Sequence, residues 1–469
     1  MTQGNWGQRS LYDTVFGDQL PEQTALVNAD EELTYPQLAE QIEDVSTRLY
    51  ARGVREHQVV GMQLANGADF AIAFHAIAKL GAVVTPIGVH VTAADRDAQL
   101  AAADAKLLLT QADMSELRAS RGALTRPEVR IDPEQLACLP FSSGTTGTPK
   151  AVMLPHRALA ANIEQFAQVL PLQAGHTCLS VLPYSHIYGL TALLNVPLAL
   201  RARVVAQPYE RHSFLHAHER YQVGLTFIAP PLATLLAQDP LVSEVDFSSL
   251  HTVVSGAAPL NIAIAQAAEK RIQARIIQGF GLTEAAPVTH LAWQEGTAPE
   301  SIGHPLPGTS ISVRDAHGEP ANIGEMWVRG PQVMRGYLGD PLATEQALVD
   351  GWLRTGDLVR QLDDGSVVVI DRLKDVIKSH GFQVSPVKLE RLLAAHPAVA
   401  DVAVARGFGA DGEERPEAFV VASSPITDSE LIAWLSGRVA GYERVRAVHF
   451  VQEIPRSAAG KILRRDLQV

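Results

Sequence analysis

The chain has 469 residues, of which 46% are hydrophobic and 19% are charged. This length and composition are typical of a folded protein with more than one domain, and they exclude a disordered or fibrous chain. Lys and Arg total 39 against 51 Asp and Glu, a formal net charge of −12. This negative net charge argues against a protein that binds nucleic acid, because such binding needs a broad basic surface on the protein.

Cysteine usage and the apolar stretches predict a cytoplasmic location. The two cysteines, Cys138 and Cys178, are too few for a disulfide scaffold and lack a paired metal-ligand spacing. The first residues, MTQGNWGQRSLYDTVF, lack the basic-then-apolar layout of a signal peptide. The most apolar stretch, residues 71–89, is interrupted by a histidine, a lysine and a proline, so we expect no membrane span.

Apolar periodicity predicts an amphipathic helix at residues 34–53, with Thr34 as its N-cap and Gly53 at its C-terminal stop. A strand at 59–64, a helix at 69–80 and a strand at 82–86 follow. Later strand-like runs are mostly separated by helix-length segments; they are residues 107–109, 151–154, 178–182, 204–206, 225–228, 252–255 and 275–277. This alternation predicts an α/β fold of largely parallel sheets, with ligands beyond the carboxyl ends of the strands.

The amino-acid composition and the pattern of predicted elements change at two positions along the chain. From about residue 305, glycine and proline become denser, which predicts a β-rich subdomain at 305–371 within an N-terminal domain of residues 1–371. The pattern of residues 372–469 then predicts a small α+β domain, with a helix that begins at Ser385-Pro386 and a capping box formed by Thr427 and Glu430.

The sharpest local signal is the run FSSGTTGTPK at residues 141–150. Backbone N–H groups exposed by glycine, next to hydroxyl donors, can surround a polyphosphate, and a lysine adds a point charge. A solvated surface loop is the alternative from composition alone. The run is not a Walker P-loop, because a proline precedes the lysine and an alanine follows it. The predicted phosphate contacts are Ser142, Ser143, Gly144, Thr145, Thr146, Gly147 and Lys150.

The longer run FSSGTTGTPKAVMLPH, at 141–156, resembles the phosphate-loop signature of the adenylate-forming superfamily, which includes acyl-CoA synthetases such as the 4-coumarate–CoA ligases. Four further segments match that superfamily in the expected order: QGFGLTE (278–284), TGD (355–357), DRLKDVIK with GFQ (371–383) and PRSAAGK (455–461). The resemblance runs from Thr34 to the last residue. It implies activation of a small carboxylic acid by ATP and Mg²⁺ through an acyl-adenylate, then transfer to a thiol, most simply CoA.

The resemblance also implies catalytic residues. Lys461 would stabilise the negative charge that accumulates on the α-phosphate, although a lysine so near the C-terminus would, taken alone, be a solvated tail. Thr283 would contact a phosphate oxygen. Glu284 would hold Mg²⁺, since a bare carboxylate repels triphosphate; its alternative is a surface carboxylate. His186 would gate the acid pocket or contact the substrate carboxylate, and its alternative is a satisfied core histidine.

The nucleotide and acid pockets follow from the same resemblance. Asp357, expected in a tight Thr-Gly-Asp turn, would accept hydrogen bonds from the ribose hydroxyls, and its alternative is an Asx turn. Arg372 would make a second contact to the nucleotide, and its alternative is a surface salt bridge. The remaining adenine-side residues are Ala257, Ala258, Pro259, Gln278, Gly279 and Phe280. The acyl pocket would be formed by His186, Tyr188, Ala257, Gly279, Gly281, Pro287 and Val288, an apolar lining that does not select among aryl, fatty and alicyclic acids.

The C-terminal domain is expected to be mobile, with Lys374 at its hinge. In one orientation Lys461 would reach the phosphate, and in the other Lys378, Gly381 and Gln383 would serve the second half-reaction. Gly381 would let a pantetheine arm pass close to the backbone.

The acyl acceptor stays open at this point. Many relatives have lysine where this chain has His380, and a neutral imidazole gives a CoA phosphate less electrostatic help. The alternatives are an amide synthetase, an enzyme that loads the phosphopantetheine of a carrier protein, and a nucleotide-binding relative without activity. The presence of Lys150, Glu284, Asp357 and Lys461 argues against the last. The sequence does not determine the acid or the oligomeric state.

Overall fold

The computed structural model describes residues 5–29, 31–120, 124–142, 149–379, 382–409, 413–456 and 462–467. The chain forms two compact units. The first comprises Met1–Ile311 and Val328–Arg354, and the second comprises Ser312–Trp327 and Thr355–Val469.

The helices and strands are numbered in chain order. The α-helices are α1 (Leu11–Phe16), α2 (Tyr35–Ala51), α3 (Ala68–Lys79), α4 (Ala93–Ala102), α5 (Gln111–Ala119), α6 (His156–Ala167), α7 (Val196–Ala199), α8 (Arg211–Arg220), α9 (Pro230–Gln238), α10 (Ile262–Ile272), α11 (Pro341–Ala347), α12 (Pro386–Ala394) and α13 (Asp428–Ser436). The strands up to residue 291 are β1 (Thr24–Val27), β2 (Glu32–Thr34), β3 (Val59–Met62), β4 (Val83–Pro86), β5 (Ala105–Leu109), β6 (Leu136–Cys138), β7 (Phe141–Ser142), β8 (Lys150–Pro155), β9 (Thr177–Ser180), β10 (Arg203–Ala206), β11 (Leu225–Ile228), β12 (Thr252–Ser255), β13 (Arg275–Gly281) and β14 (Val288–Leu291). The later strands are β15 (His304–Pro305), β16 (Ser310–Arg314), β17 (Ile323–Arg329), β18 (Gly336–Tyr337), β19 (Leu348–Val349), β20 (Trp352–Gln361), β21 (Val367–Arg372), β22 (Ile377–Ser379), β23 (Phe382–Val384), β24 (Val399–Phe408), β25 (Glu414–Ala422) and β26 (Ala447–Phe450).

Two sheets form the framework of the first unit. Among the described residues, one has nine strands in the order β15-β14-β13-β12-β11-β9-β10-β1-β2, and the run from β13 to β1 is parallel throughout. The other has the order β18-β8-β6-β4-β3-β5, with β7 paired to β8; its β6-β4-β3-β5 part is parallel. The predicted α/β fold of largely parallel sheets is therefore confirmed.

Local sequence explains the helices that pack on these sheets. Thr34 caps α2, accepts a hydrogen bond from the Gln37 backbone N–H, and forms a capping box with that residue. The helix buries Leu38, Ile42 and Leu49 on one face. Gly53 follows with a φ of +94°, a left-handed conformation that favours glycine and ends the helix as predicted.

The apolar stretch at 71–89 forms α3 and β4, both buried in the core of the first unit. In the part of the chain that the structure describes, no helix has the length and apolar character needed to span a bilayer.

The second unit contains a small α+β arrangement. Strands β24, β25 and β26 form a sheet in which β24 pairs antiparallel and β26 parallel with β25. Helix α12, capped by Ser385, and helix α13, with its Thr427–Glu430 capping box, contribute buried leucines to the core of this unit. These caps agree with the sequence prediction.

The second compact unit takes in Ser312–Trp327 and resumes at Thr355, whereas the change in composition lies at residue 372; the predicted domain bounds stay a prediction. Backbone pairing explains the difference, because β20 and β21 form an antiparallel pair in which Asp357 lies opposite Arg372. Strand pairing depends on the path of the chain and leaves no mark in the local density of glycine and proline. The prediction that residues 372–469 move about a hinge at Lys374 stays a prediction.

Candidate active site

Three predicted segments lie at the carboxyl edge of the nine-stranded sheet. His186 and Tyr188 follow β9, residues 257–259 follow β12, and Thr283 and Glu284 follow β13. Parallel strands end at a common edge, so segments distant in sequence come together there. Within the loop after β12, Ala257 and Pro259 are exposed and Ala258 is half-buried, as expected of residues that line an open cleft.

Tyr188 packs on the loop after β12. Its hydroxyl donates to the Val254 carbonyl at 3.3 Å, and its ring lies so close to Gly256 that a Cβ there would be 3.0 Å from the ring. Burial raises the pKa of Tyr188, which keeps the phenol neutral. Gly256 was not singled out from the sequence; its position directly before Ala257, in the run SGAAP at residues 255–259, was the signal that could have identified it.

Gly281, Pro287 and Val288 form one continuous wall. Gly281 lies opposite Val288 in the β13–β14 pair, and a Cβ on Gly281 would lie 2.1 Å from the Pro287 carbonyl oxygen. Only glycine therefore fits this position without a shift of the wall. Gly279 is different, since a Cβ there would meet side chains at ordinary contact distances.

Asn162 on α6 holds this wall from behind. Its side-chain amide donates to the Val288 carbonyl at 2.6 Å and accepts from the Val288 N–H at 3.0 Å, all buried. The Thr191 hydroxyl adds a hydrogen bond to the Ala286 carbonyl at 2.9 Å. Sequence analysis missed Asn162 and Thr191, because an amide or a hydroxyl inside an apolar helix gives no sign of its distant partner.

His186 is exposed, and its Nδ1 accepts a hydrogen bond from the Tyr188 N–H at 3.3 Å. The exposed side chain argues against the alternative of a satisfied core histidine, and the choice between the two interpretations stays a prediction. An exposed imidazole beside Tyr188 remains available to a ligand, although its role as a gate stays a prediction.

The phosphate-loop residues are described in part. Ser142 is half-buried and pairs with Lys150 across β7 and β8, whereas the predicted contacts Ser143, Gly144, Thr145, Thr146 and Gly147 lie outside the described residues. The Lys150 ammonium lies 3.2 Å from an Asp340 carboxylate oxygen and 5.1 Å from the centre of the Tyr337 ring.

Glu284 belongs to the same cluster. It lies in a short 3₁₀ turn, Thr283–Ala285, and its Oε1 accepts a hydrogen bond from the Tyr337 hydroxyl at 2.9 Å. Thr283 and Glu284 are both half-buried, so Glu284 is not the solvated surface carboxylate of the alternative interpretation. The structure thus brings the predicted cation and the predicted metal-binding carboxylate to one tyrosine.

The adenine-side residues have defined partners. The Phe280 ring lies edge-on to His290 at 6.1 Å between ring centres. The Gln278 amide donates to the Pro299 carbonyl at 2.8 Å, which ties β13 to the segment before β15. Ala257 has a φ of +72°, a left-handed conformation rare outside glycine and common at functional sites.

In the second unit, Asp357 and Arg372 contact each other. The expected tight turn is wrong, because residues 355–357 lie inside the extended strand β20, with a local kink at Gly356, whose φ is +70°. The Asp357 side chain is only 2% exposed, and the Arg372 Nε lies 2.9 Å from its Oδ1. A buried carboxylate requires such a partner, and the arginine orients Asp357.

Asp371 contacts the start of α12. Its Oδ2 accepts hydrogen bonds from the Ser385 hydroxyl at 2.5 Å and from the Val387 N–H at 3.1 Å, at the start of α12. Burial raises the pKa of this carboxyl group. The sequence placed Asp371 in a motif but gave it no role, since its hydrogen-bond partners lie about a helix length further along the chain.

Some of the remaining predicted residues of the second unit are exposed, and others lie outside the residues that the structure describes. Lys374 and Lys378 are exposed, and Lys378 lies opposite Gln383 in the β22–β23 hairpin. Gly381 and Lys461 lie outside the described residues, so their roles stay predictions.

Comparison with known families identifies the architecture. Residues 15–338 match the model of the AMP-binding enzymes, and residues 388–461 match the model of their C-terminal domain. The chain belongs to the AMP-binding enzyme family. The resemblance drawn from the five sequence motifs is thereby confirmed.

Individual relatives are similar to this protein over nearly the whole chain. The chain is 36% identical to 4-coumarate–CoA ligase 2 of Oryza sativa subsp. japonica, over 90% of this chain and 84% of that protein. Among solved structures, ATP-bound MatB from Rhodopseudomonas palustris superposes with a TM-score of 0.89 at 25% identity, covering 97% of this chain and 98% of that one. The amide bond synthetase McbA from Marinactinospora thermotolerans superposes with a TM-score of 0.87 at 26% identity, with the same coverage.

Proposed function

We propose that this protein is an AMP-forming acid–CoA ligase. It activates a carboxylic acid with ATP through an acyl-adenylate and then transfers the acyl group to the thiol of CoA. The observation that carries this proposal is the convergence of Lys150 and Glu284 on Tyr337, at the edge where the predicted acyl-pocket residues also lie. The family match and the 4-coumarate–CoA ligase relatives support it.

The first half-reaction forms a mixed anhydride. A carboxylate oxygen of the acid attacks the α-phosphorus of ATP, the bond from that phosphorus to the bridging oxygen breaks, and pyrophosphate leaves. Lys150 binds the outer phosphates, and Lys461 stabilises the charge on the α-phosphate. Asp357, oriented by Arg372, accepts hydrogen bonds from the ribose hydroxyls.

Magnesium fits the residues present. Within the described ranges no cluster of three metal-ligating side chains occurs, and Mg²⁺ needs none when one carboxylate and substrate phosphates complete its octahedral shell with water. Glu284 would supply that carboxylate. The ion would neutralise phosphate charge as pyrophosphate departs.

The second half-reaction replaces AMP by a thiol. The sulfur attacks the acyl carbonyl carbon, the bond from the acyl carbon to the phosphate oxygen breaks, AMP leaves, and the thiol proton passes to solvent. Lys378, Gly381 and Gln383 belong to the segment that serves this step, after the C-terminal domain has turned about Lys374. We place both steps in the cytoplasm.

A second candidate is transfer of the acyl group to an amine. The superposition on an amide bond synthetase and the histidine at position 380 favour it. The two candidates share the adenylate and differ only in the acceptor, so product mass separates them.

The first experiment measures pyrophosphate release from ATP with a panel of acids, beginning with 4-coumarate and including fatty and alicyclic acids. The active acid is then incubated with ATP and CoA, with ATP and an amine, and with ATP and a phosphopantetheinylated carrier protein. A CoA thioester supports the proposal. Release of pyrophosphate without any CoA thioester overturns the assignment of the acceptor, and no release with any acid overturns the activity.

Lys461 is tested by half-reactions. We expect Lys461→Ala to lower acid-dependent pyrophosphate release ~10²–10³-fold, yet to convert supplied acyl-adenylate into thioester at the wild-type rate. Lys270→Ala, which removes an exposed lysine on α10, is the matched control. Equal effects on both half-reactions would remove Lys461 from its assigned role.

A further inference from the structure

Strand β18 and the segment around it pack against the phosphate strand β8. Gly336 pairs with Met153 and Tyr337 with Val152, and backbone hydrogen bonds of 2.9 Å from Arg335 to Met153 and from Leu338 to Ala151 extend the pairing. The sequence motifs gave this segment no role. Its position beside the strand that begins at Lys150 nevertheless puts it next to the proposed phosphate site.

This segment holds Glu284 by two separate contacts. The Tyr337 hydroxyl donates to Glu284 Oε1 at 2.9 Å, and the Met334 N–H donates to the Glu284 carbonyl at 2.9 Å. Glu284 lies in a single 3₁₀ turn, Thr283–Ala285, which is too short to orient a side chain with three rotatable bonds. The phenol therefore fixes the carboxylate that the turn alone leaves free to rotate.

The ring of the same tyrosine supports the cation. Lys150 Nζ lies 5.1 Å from the ring centre, within the range of a cation–π contact, and its ion-pair partner is Asp340 at 3.2 Å. Asp340 also accepts the Ala343 N–H at 2.9 Å as the N-cap of α11, so it is fixed by the helix that follows. Thr344, on the same helix, accepts the Tyr337 N–H at 2.9 Å.

We propose that Tyr337 is a positioning residue that couples the two charged groups of the phosphate site. Its hydroxyl orients the Glu284 carboxylate, which would supply an oxygen ligand to the metal, and its ring supports the Lys150 ammonium. The inference rests on the proposed function, because it takes Glu284 as the metal-binding carboxylate. Hydrogen bonds to metal-binding carboxylates typically change metal affinity 10–100-fold when they are removed.

Tyr337→Phe tests the hydroxyl alone, because it keeps the ring beside Lys150. The probe is Mn²⁺, whose binding is followed by electron paramagnetic resonance in the presence of an α,β-methylene ATP analogue, so no turnover is required. We expect Mn²⁺ to bind ~10–100-fold more weakly in the variant–nucleotide complex. Binding of the same analogue in EDTA, measured by calorimetry, should stay within twofold of wild type. Unchanged Mn²⁺ affinity overturns the role of the hydroxyl.

Tyr337→Leu tests the ring. Loss of the cation–π contact should weaken binding of the analogue in EDTA by about two- to fivefold, a change that Tyr337→Phe should not produce. Wild-type affinity in EDTA overturns the role of the ring. Tyr50→Phe is the matched control for a fold-wide effect, because Arg55 lies 3.8 Å from the centre of the Tyr50 ring on α2, in another part of the unit.

Glu284→Gln separates this inference from the proposed function. If Glu284→Gln binds Mn²⁺ as tightly as wild type, the metal assignment of the proposed function is wrong. If Glu284→Gln loses Mn²⁺ and Tyr337→Phe does not, the proposed function stands and the positioning role of Tyr337 is overturned. Weakened Mn²⁺ binding in both variants supports the inference.

Discussion

His156, the last residue of the phosphate-loop run, links that run to the N-terminus by a hydrogen bond that only neutral histidine can make. Its side chain is fully buried at the start of α6, and its Nδ1 accepts the Leu11 N–H at 3.1 Å, at the start of α1. A protonated imidazole has no acceptor nitrogen, so protonation would break this bond and place a charge in the core. Burial lowers the pKa of His156 to about 4.

The linkage between proton binding and folding gives the direction and size of the effect of pH on the free energy of unfolding. In the unfolded chain histidine has a pKa of about 6.5, so between pH 6.5 and 4 the unfolded state binds a proton that the folded state does not. The stability linked to His156 is therefore complete above pH 6.5 and is lost progressively as the pH falls to 4. With these two values, lowering the pH from 8 to 5 reduces the free energy of unfolding by about 2 kcal/mol.

The test compares wild type with His156→Asn, whose Oδ1 lies close to the position of Nδ1 and accepts the same N–H but does not titrate. Urea unfolding followed by circular dichroism at pH 8 and pH 5 gives the loss of stability on acidification for each protein. Other buried histidines, such as His218 with a pKa lowered by burial to about 4, contribute equally to both. We expect the loss to be about 2 kcal/mol smaller in His156→Asn, and an equal loss in both proteins would refute the reasoning.

Three further predictions concern residues whose packing or polar contacts the structure describes. Asn162→Ala removes the side-chain partner of the buried N–H and C=O of Val288, so it should lower the free energy of unfolding by ~2–6 kcal/mol. It should also raise KM for the acid but not for ATP. An unchanged KM for the acid in steady-state kinetics would contradict this prediction. Gly281→Ala would place a Cβ 2.1 Å from the Pro287 carbonyl oxygen, in the predicted acyl pocket. We therefore expect kcat/KM for the acid to fall at least tenfold, since a small misplacement near the reacting atoms can cost ~10²-fold; a wild-type value would contradict this prediction. Arg464→Met removes the ion-pair partner, at 2.6 Å, of Glu390, whose side chain is only 13% exposed, and should destabilise the second unit by ~3–5 kcal/mol. Arg438→Met, at an exposed ring contact with Trp434, should change the free energy of unfolding of that unit by less than ~1 kcal/mol.

The sequence by itself determined the local structure and the family of this protein. Capping boxes at Thr34 and Thr427 are made between residues three positions apart, so the chain specifies them without tertiary contacts. Strand runs such as 252–255 show as short apolar segments because both faces of a parallel sheet are buried. The five motifs kept the order and the chemistry of a nucleotide site, which was enough to identify an AMP-binding enzyme.

Only the tertiary structure decided which side chains support that site. The Tyr337–Glu284 contact joins residues 53 positions apart, and the Asn162–Val288 contact joins residues 126 positions apart. The Asp357–Arg372 ion pair arises from the register of β20 and β21, and both residues lie in the same compact unit. Such contacts depend on how strands and helices pack, and the free energy of packing is shared among many residues, so no local pattern of a single sequence specifies them.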